Sequence, residues 1–293
     1  MNELGPTLPI SQEIGATKYL QTGESFKEGM SRVANTLKDN DNHFDKFRSL
    51  LLDQAFMPAG RVLAAIGANR VVTPYNCFVS GTIEDSMEDI MSKLGEAATT
   101  MRMGGGIGYD FSTIRPRHTI ISTLDSQASG AVSFMQPYDA VCGTISSAGH
   151  RRGAQMGVLR VDHPDIEEFV HAKQNGHNLT NFNISVAITD EFMVAMLKDE
   201  PFPLRFNGIT YKWISAKNLW DQIMRGTYDW AEPGVLFIDT INKHNNLHRQ
   251  ETIAATNPCA EQPLPPYGAC LLGSLNIVKY CSEDGINLLG IKD

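Results

Sequence analysis

The sequence predicts an α/β fold with parallel strands behind a helical N-terminal region, and three observations predict it. Strand-like and helix-like segments alternate through most of the chain beyond about residue 85, the pattern left by parallel strands joined through helical crossovers. The first 75 residues instead carry helical spacing. The 293-residue chain is 42% hydrophobic and 20% charged, which is ordinary globular usage and excludes disordered and fibrous classes.

Between residues 25 and 56 the apolar positions Phe26, Met30, Val33, Leu37, Phe44, Phe47, Leu51 and Leu52 recur at helical intervals. Residues 86–103 read as a helix, with Ser86 as N-cap and Glu88 and Asp89 in the first turn, where acidic groups suit the helix dipole. There follow a strand at 107–111, a helix at 134–145, a strand at 156–161 and a helix at 165–174 that starts near His163-Pro164. Residues 182–188 form a buried strand and 190–197 a helix, and 204–211 a hairpin around Asn207-Gly208. Residues 216–230 read as a helix, 235–238 as a short strand and 271–278 as another. The expected organisation is a helical region over 1–75 and an α/β body over 76–293, which stops soon after a strand and reads as unfinished.

A formal net charge of −8 disfavours a general nucleic-acid binder, although a local arginine cluster can still hold a small phosphorylated ligand. The N-terminus has no basic start followed by an apolar run, and no stretch is apolar enough to span a membrane. Five scattered cysteines, Cys77, Cys142, Cys259, Cys270 and Cys281, favour a reducing cytoplasmic setting over a disulfide scaffold.

The strongest segment runs from Thr256 to Cys270. Pro263, Pro265 and Pro266 forbid regular structure there, so it is a rigid loop. Asn257, Cys259 and Glu261 alternate, which in an extended loop projects a carboxamide, a thiol and a carboxylate to one side. A chance turn with a buried cysteine explains the segment about as well. Zinc bound by His244, His248, Cys259 and Cys270 explains it poorly, because the Cys-x2-Cys spacing is absent. Cys77, flanked by Asn76 and Phe78, reads in isolation as a core residue.

Taken together, Asn257-Pro258-Cys259-Ala260-Glu261, Tyr267-Gly268-Ala269-Cys270-Leu271-Leu272-Gly273-Ser274-Leu275-Asn276 and the upstream Asn76-Cys77-Phe78 resemble a ribonucleotide reductase catalytic subunit. The likeness extends through the segments 102–116, 149–157, 182–186 and 233–239, in the family's order. The resemblance implies the first half of a ten-stranded α/β barrel. It also implies Cys259 as thiyl radical carrier, Glu261 as general base, Asn257 as a sugar contact, and Cys77 with Cys270 as the reducing dithiol. Asn76, Arg151 and Arg152 are expected at the substrate, and Asp85, Ser86 and Arg115 at a specificity effector. The glycine run 104–108 does not fit Gly-x-Gly-x-x-Gly, because Tyr109 stands where the last glycine belongs. By itself such a run marks a tight backbone crossing.

The short Cys259–Cys270 spacing and the Arg151-Arg152-Gly153-Ala154 segment resemble the adenosylcobalamin-dependent branch most, with the metal-containing small-subunit branch as the alternative. The implied partners are a ribonucleotide, a deoxynucleotide or ATP effector, a second polypeptide carrying the rest of the barrel, and a further copy of the chain. No metal bound by the chain itself, no nucleic acid and no membrane are expected. The rival from another class is a non-catalytic effector-binding or assembly fragment.

Overall fold

The computed structural model describes residues 5–121, 125–145, 153–174, 176, 178–283 and 285–292. These form two compact units, one of residues 5–76 and 270–292 and the other of residues 77–145 and 153–269.

In the first unit the helical spacing over 25–56 resolves into two helices, Phe26–Leu37 and Asp41–Leu52. Ser25 and Glu28 close a reciprocal capping box at the start of the first. The break follows from Lys38, which leaves helical geometry at ψ 142°, and Asn40, whose side chain caps the second helix at His43 N–H. Met30, Val33, Ala34, Leu51, Val62 and Leu63 bury their side chains together as this unit's core. The strand expected over 271–278 shrinks to Gly273–Leu275, pairs antiparallel with Phe56–Pro58, and gives way to a 3-10 turn at Ile277–Tyr280. A short apolar run fixes neither its length as a strand nor the sheet it joins.

The second unit is built on five parallel strands in chain order: β1 (Cys77–Val79), β2 (Gly106–Asp110), β3 (Gln155–Arg160), β4 (Phe182–Ile188) and β5 (Gly234–Phe237). Each pairs in parallel with the next. Strands added in sequence, all parallel, make a barrel wall and not the doubly wound order that reverses at its centre. The crossovers are α1 (Met87–Arg102), α2 (Ala131–Thr144), α3 (Ile166–His171), α4 (Asp190–Lys198) and α5 (Ala216–Trp230). Between α4 and α5 the hairpin Pro201–Phe206/Ile209–Ser215 turns at Asn207 and Gly208, both at positive φ as a two-residue hairpin turn requires.

The sheet is buried on both faces, as parallel sheets are. On one face Ile107, Tyr109, Leu159, Phe182, Ile184, Val186 and Ile188 pack against the helices. Tyr109 donates its hydroxyl hydrogen bond to Gln155 Oε1 at 2.8 Å, Gln155 Nε2 donates to the Tyr138 carbonyl at 3.1 Å, and Tyr138 donates to the Ile90 carbonyl at 2.7 Å. This chain of satisfied groups ties β2 and β3 to α1 and α2. On the other face Val79, Met156, Val158, Ala187 and Leu236 meet Ile253 and Ala255 instead of a helix.

His163 sits buried past the end of β3, with Nε2 at 2.9 Å from the Ile114 carbonyl and Nδ1 accepting from Asp165 N–H at 3.1 Å. Burial, first among its influences, holds its pKa below the ordinary 6.5. The neutral ring is thus favoured in the folded state. Its contribution to stability is complete above pH 6.5 and is lost as pH falls from there through the lowered folded pKa. Urea unfolding should show wild type well ahead of His163→Gln at pH 7.5, with the gap narrowing steadily between pH 6.5 and 5. A gap independent of pH would contradict the assignment.

Candidate active site

The loop that carries Cys259 lies on the helix-free face of the sheet. Ala255 pairs with Leu264 and Thr256 with Pro263, antiparallel, so residues 257–262 are the tip of a tight hairpin. Asn257 closes that tip three ways. Its N–H donates to the Gln262 carbonyl at 3.1 Å, its carbonyl accepts from Ala260 N–H at 3.0 Å, and its side-chain Oδ1 accepts from Gln262 N–H at 3.0 Å. The side chain is fully buried, and its Nδ2 has no hydrogen-bond partner. A buried donor in that state costs about 1–3 kcal/mol.

The tip is not extended. Ala260 takes a φ of +64° and turns the chain back, so the expected common side for Asn257, Cys259 and Glu261 does not hold. Asn257 points into the protein, while Cys259 and Glu261 are exposed.

Two glycines of β2 make room for this loop. A Cβ on Gly108 would lie 1.8 Å from the Thr256 carbonyl oxygen, and one on Gly106 would lie 2.8 Å from Pro258 Cγ. The glycine run is therefore a close backbone crossing, and the thing that crosses is the thiol loop. Asn183 of β4 donates from Nδ2 to the Pro258 carbonyl at 2.7 Å. Sequence reasoning missed Asn183, although a carboxamide in the largely apolar strand Phe182–Ile188 was the available signal. On the far limb Tyr267 N–H donates to the Val79 carbonyl at 3.1 Å, and Val79 N–H donates to the Gly268 carbonyl at 2.9 Å, laying this limb along β1. The Lys93 side chain that meets Tyr267 gave no signal in the sequence.

Cys77 opens β1 in the second unit and is half-buried. Cys270 belongs to the first unit, where it is buried and its carbonyl accepts from Asn76 N–H at 3.1 Å. The side-chain Oδ1 of Asn76 is buried without a hydrogen-bond partner. Arg151 and Arg152 lie outside the described residues.

Asp85, Ser86 and Arg115 come together at the start of α1. The Ser86 hydroxyl caps the helix, accepting from Asp89 N–H at 3.2 Å. The Asp85 carboxylate accepts from Arg115 Nε at 2.7 Å and from Arg115 N–H at 3.1 Å, and the Asp85 carbonyl accepts from Arg115 at 3.1 Å. Cys142 is buried in α2, and burial, reinforced by Asp139, pushes its thiol up to about 11, which makes it inert at neutral pH. Among the described residues, no group of three or more His, Cys, Asp or Glu side chains is placed to hold a metal ion, and no helix is long and apolar enough to cross a membrane.

A family model described as the ribonucleotide reductase barrel domain matches residues 75–292. A vitamin B12-dependent ribonucleoside-diphosphate reductase of Thermoplasma acidophilum is 37% identical over 260 residues, covering 87% of this chain and 34% of that protein. The enzyme of the same name from Mycobacterium tuberculosis is 39% identical over 277 residues, covering 90% of this chain and 40% of that protein. The chain thus spans between a third and two fifths of the length of these relatives. Among solved structures, the class Id ribonucleotide reductase alpha subunit of Actinobacillus ureae shares the fold with a TM-score of 0.79 at 22% identity, over 93% of this chain and 50% of that one.

The close crossing makes two glycine substitutions behave oppositely. Gly108→Ala should destabilise by about 1–3 kcal/mol in urea unfolding and speed amide exchange at Asn257 and Gln262. Gly95→Ala, in mid-α1 with nothing within 4 Å of its Cβ, should stabilise by up to about 1 kcal/mol. Equal effects at the two sites would mean that the loop does not rest on β2.

Proposed function

The chain belongs to the ribonucleotide reductase family, and we propose that its thiol loop reduces ribonucleotides at the 2′ carbon with Cys259 as the radical carrier. The observation that carries this reading is the build of the hairpin tip. An exposed thiol and an exposed carboxylate stand two residues apart, on a turn closed by a buried carboxamide that keeps one donor unused.

In this reading the Cys259 thiyl radical removes the 3′ hydrogen atom of the ribose while Glu261 takes the 3′ hydroxyl proton as general base. Asn257 offers its spare N–H to a sugar hydroxyl. The 2′ hydroxyl then leaves as water, taking a proton from one thiol of the Cys77/Cys270 pair. That pair supplies two electrons and becomes a disulfide, and Cys259 returns the hydrogen atom to the 3′ carbon. The sum is one ribonucleotide and one dithiol converted to one deoxyribonucleotide, one disulfide and one water. Asn76, with its own unpartnered buried oxygen, and Arg151 with Arg152 complete the substrate contacts.

The relatives named as vitamin B12-dependent support adenosylcobalamin as the radical source. When bound, it supplies an organic radical able to take the hydrogen atom of a thiol. The exposed position of Cys259 fits that source, since its sulfur can be approached without opening the core. Asp85, Ser86 and Arg115 are the proposed contacts for a deoxynucleotide or ATP effector, because a helix N-terminus beside an arginine suits a triphosphate. The remaining barrel strands would correspond to the part of the relatives that this chain does not span, in an assembly with more than one copy of the chain.

The test is deoxyribonucleotide formation by the complex purified on this chain, with a dithiol reductant, with and without adenosylcobalamin. Product is expected only with the cofactor; Cys259→Ala should abolish it while nucleotide binding persists, and Glu261→Gln should cut kcat by about 100-fold or more. Product without the cofactor would reassign the radical source to a metal-containing subunit. Nucleotide binding with no turnover under any condition would leave an effector-binding module.

A further inference from the structure

The hairpin tip is tethered by side chains on both limbs. On the first limb the tether is Asn183, which holds the Pro258 carbonyl. On the second it is Lys93, in the middle of α1, whose Nζ donates to the Tyr267 hydroxyl at 2.7 Å and to Glu96 Oε1 at 3.0 Å. Tyr267 in turn reaches Glu96 Oε2 at 3.3 Å, closing a triangle of lysine, glutamate and phenol.

Three features set this contact apart from an ordinary surface pair. Lys93 is only 9% exposed, and an ammonium so covered is tolerated only when its donors are satisfied. A pairing with Glu96 alone, three residues on, could have been made in solvent. Burial is explained by the partner 174 residues away in sequence. Second, Tyr267 holds a φ of +62°, a left-handed geometry that costs a non-glycine residue about 1–3 kcal/mol unless its surroundings enforce it. Third, the place for its ring is kept clear by Gly81, where a Cβ would lie 2.5 Å from Tyr267 Cζ. The Lys93 nitrogen stands 5.2 Å from the ring centroid but 2.7 Å from the hydroxyl, so the grip is on the phenol oxygen and not on the ring face.

We propose that Lys93 is a positioning residue for the thiol loop, fixing through Tyr267 the limb that follows Glu261 so that Cys259 and Glu261 are presented in one register. The proposal rests on the reading of this loop as the reactive one. It adds a control point outside the loop. The helix that Ser86 caps, just after Asp85, also carries, two turns on, the side chain that holds the loop down. The hydroxyl of Tyr267 first and Glu96 second also hold the Lys93 ammonium above its ordinary pKa, so the grip persists across the working pH range.

The experiment compares the full chain with Lys93→Met, Lys93→Arg, Tyr267→Phe and the Lys93→Met/Tyr267→Phe double variant. Hydrogen exchange at the amides of Gln262, Tyr267 and Gly268 should quicken by about fivefold or more in Lys93→Met and Tyr267→Phe, with β2, β3 and β4 unchanged. The double variant should match the single ones, because both remove the same contact. In the assembled reductase kcat should fall by about tenfold with KM held, and Lys93→Arg, which keeps a cation and a donor, should recover most of it. Tyr267→Phe keeps the ring and serves if Lys93→Met fails to fold. Unchanged exchange in folded variants, quickening spread over the whole sheet, or multiplied effects in the double variant would each overturn the proposal. A wild type that makes no deoxyribonucleotide would sink the proposed function, while the exchange measurement would still decide the tether.

Discussion

The thiol loop can rest on the sheet because β2 withholds two side chains. With no Cβ at Gly106 or Gly108, the backbone at Thr256 and the ring of Pro258 come down onto the strand itself. Thr256 and Asn257 are buried as a result, and the hairpin tip turns back at Ala260. Val79, Met156, Val158, Ala187 and Leu236 then line the floor around the contact. The floor and the loop are complementary in height, glycines under the tight hairpin and residues with apolar side chains around it.

The same strand serves the opposite face with opposite chemistry. Ile107 and Tyr109, the residues between and beyond the two glycines, are buried among Phe111, Tyr138 and Phe182, with ring centroids of Tyr109 and Tyr138 5.0 Å apart in an edge-on contact. Such pairs prefer edge-to-face geometry and add stability beyond their buried area. The strand that gives up side chains under the loop is thus anchored by two large ones under the helices, and the alternation of a β-strand is what allows both.

Much of this was legible in the residues. Alternating segments announced the parallel sheet, Ser86 announced the start of α1, and the Asn207-Gly208 pair announced a hairpin that forms as read. The three prolines announced a rigid loop, yet they could not give its conformation. The turn at Ala260 is closed by Asn257 within the tip, on a loop placed by the distant Gly106, Gly108 and Asn183, so the projected common side for three polar groups does not hold. Lys93 and Asn183 were silent for the same reason, since a lysine in an amphipathic helix and an asparagine in a strand acquire meaning only from what lies across from them. The helical spacing over 25–56 holds as two helices, and the break at Lys38–Asn40 comes from the caps, which apolar spacing does not register.

The order of β1 to β5 in the sheet is also their order of synthesis. A chain emerging at about 5–20 residues per second can lay each new strand on a neighbour already made, with the intervening helix packed before the next strand arrives. The loop bearing Cys259 comes off the ribosome after the fifth strand, when the surface it must land on is complete. A vectorial route of this kind keeps the closest contact in the unit, the crossing at Gly106 and Gly108, until last.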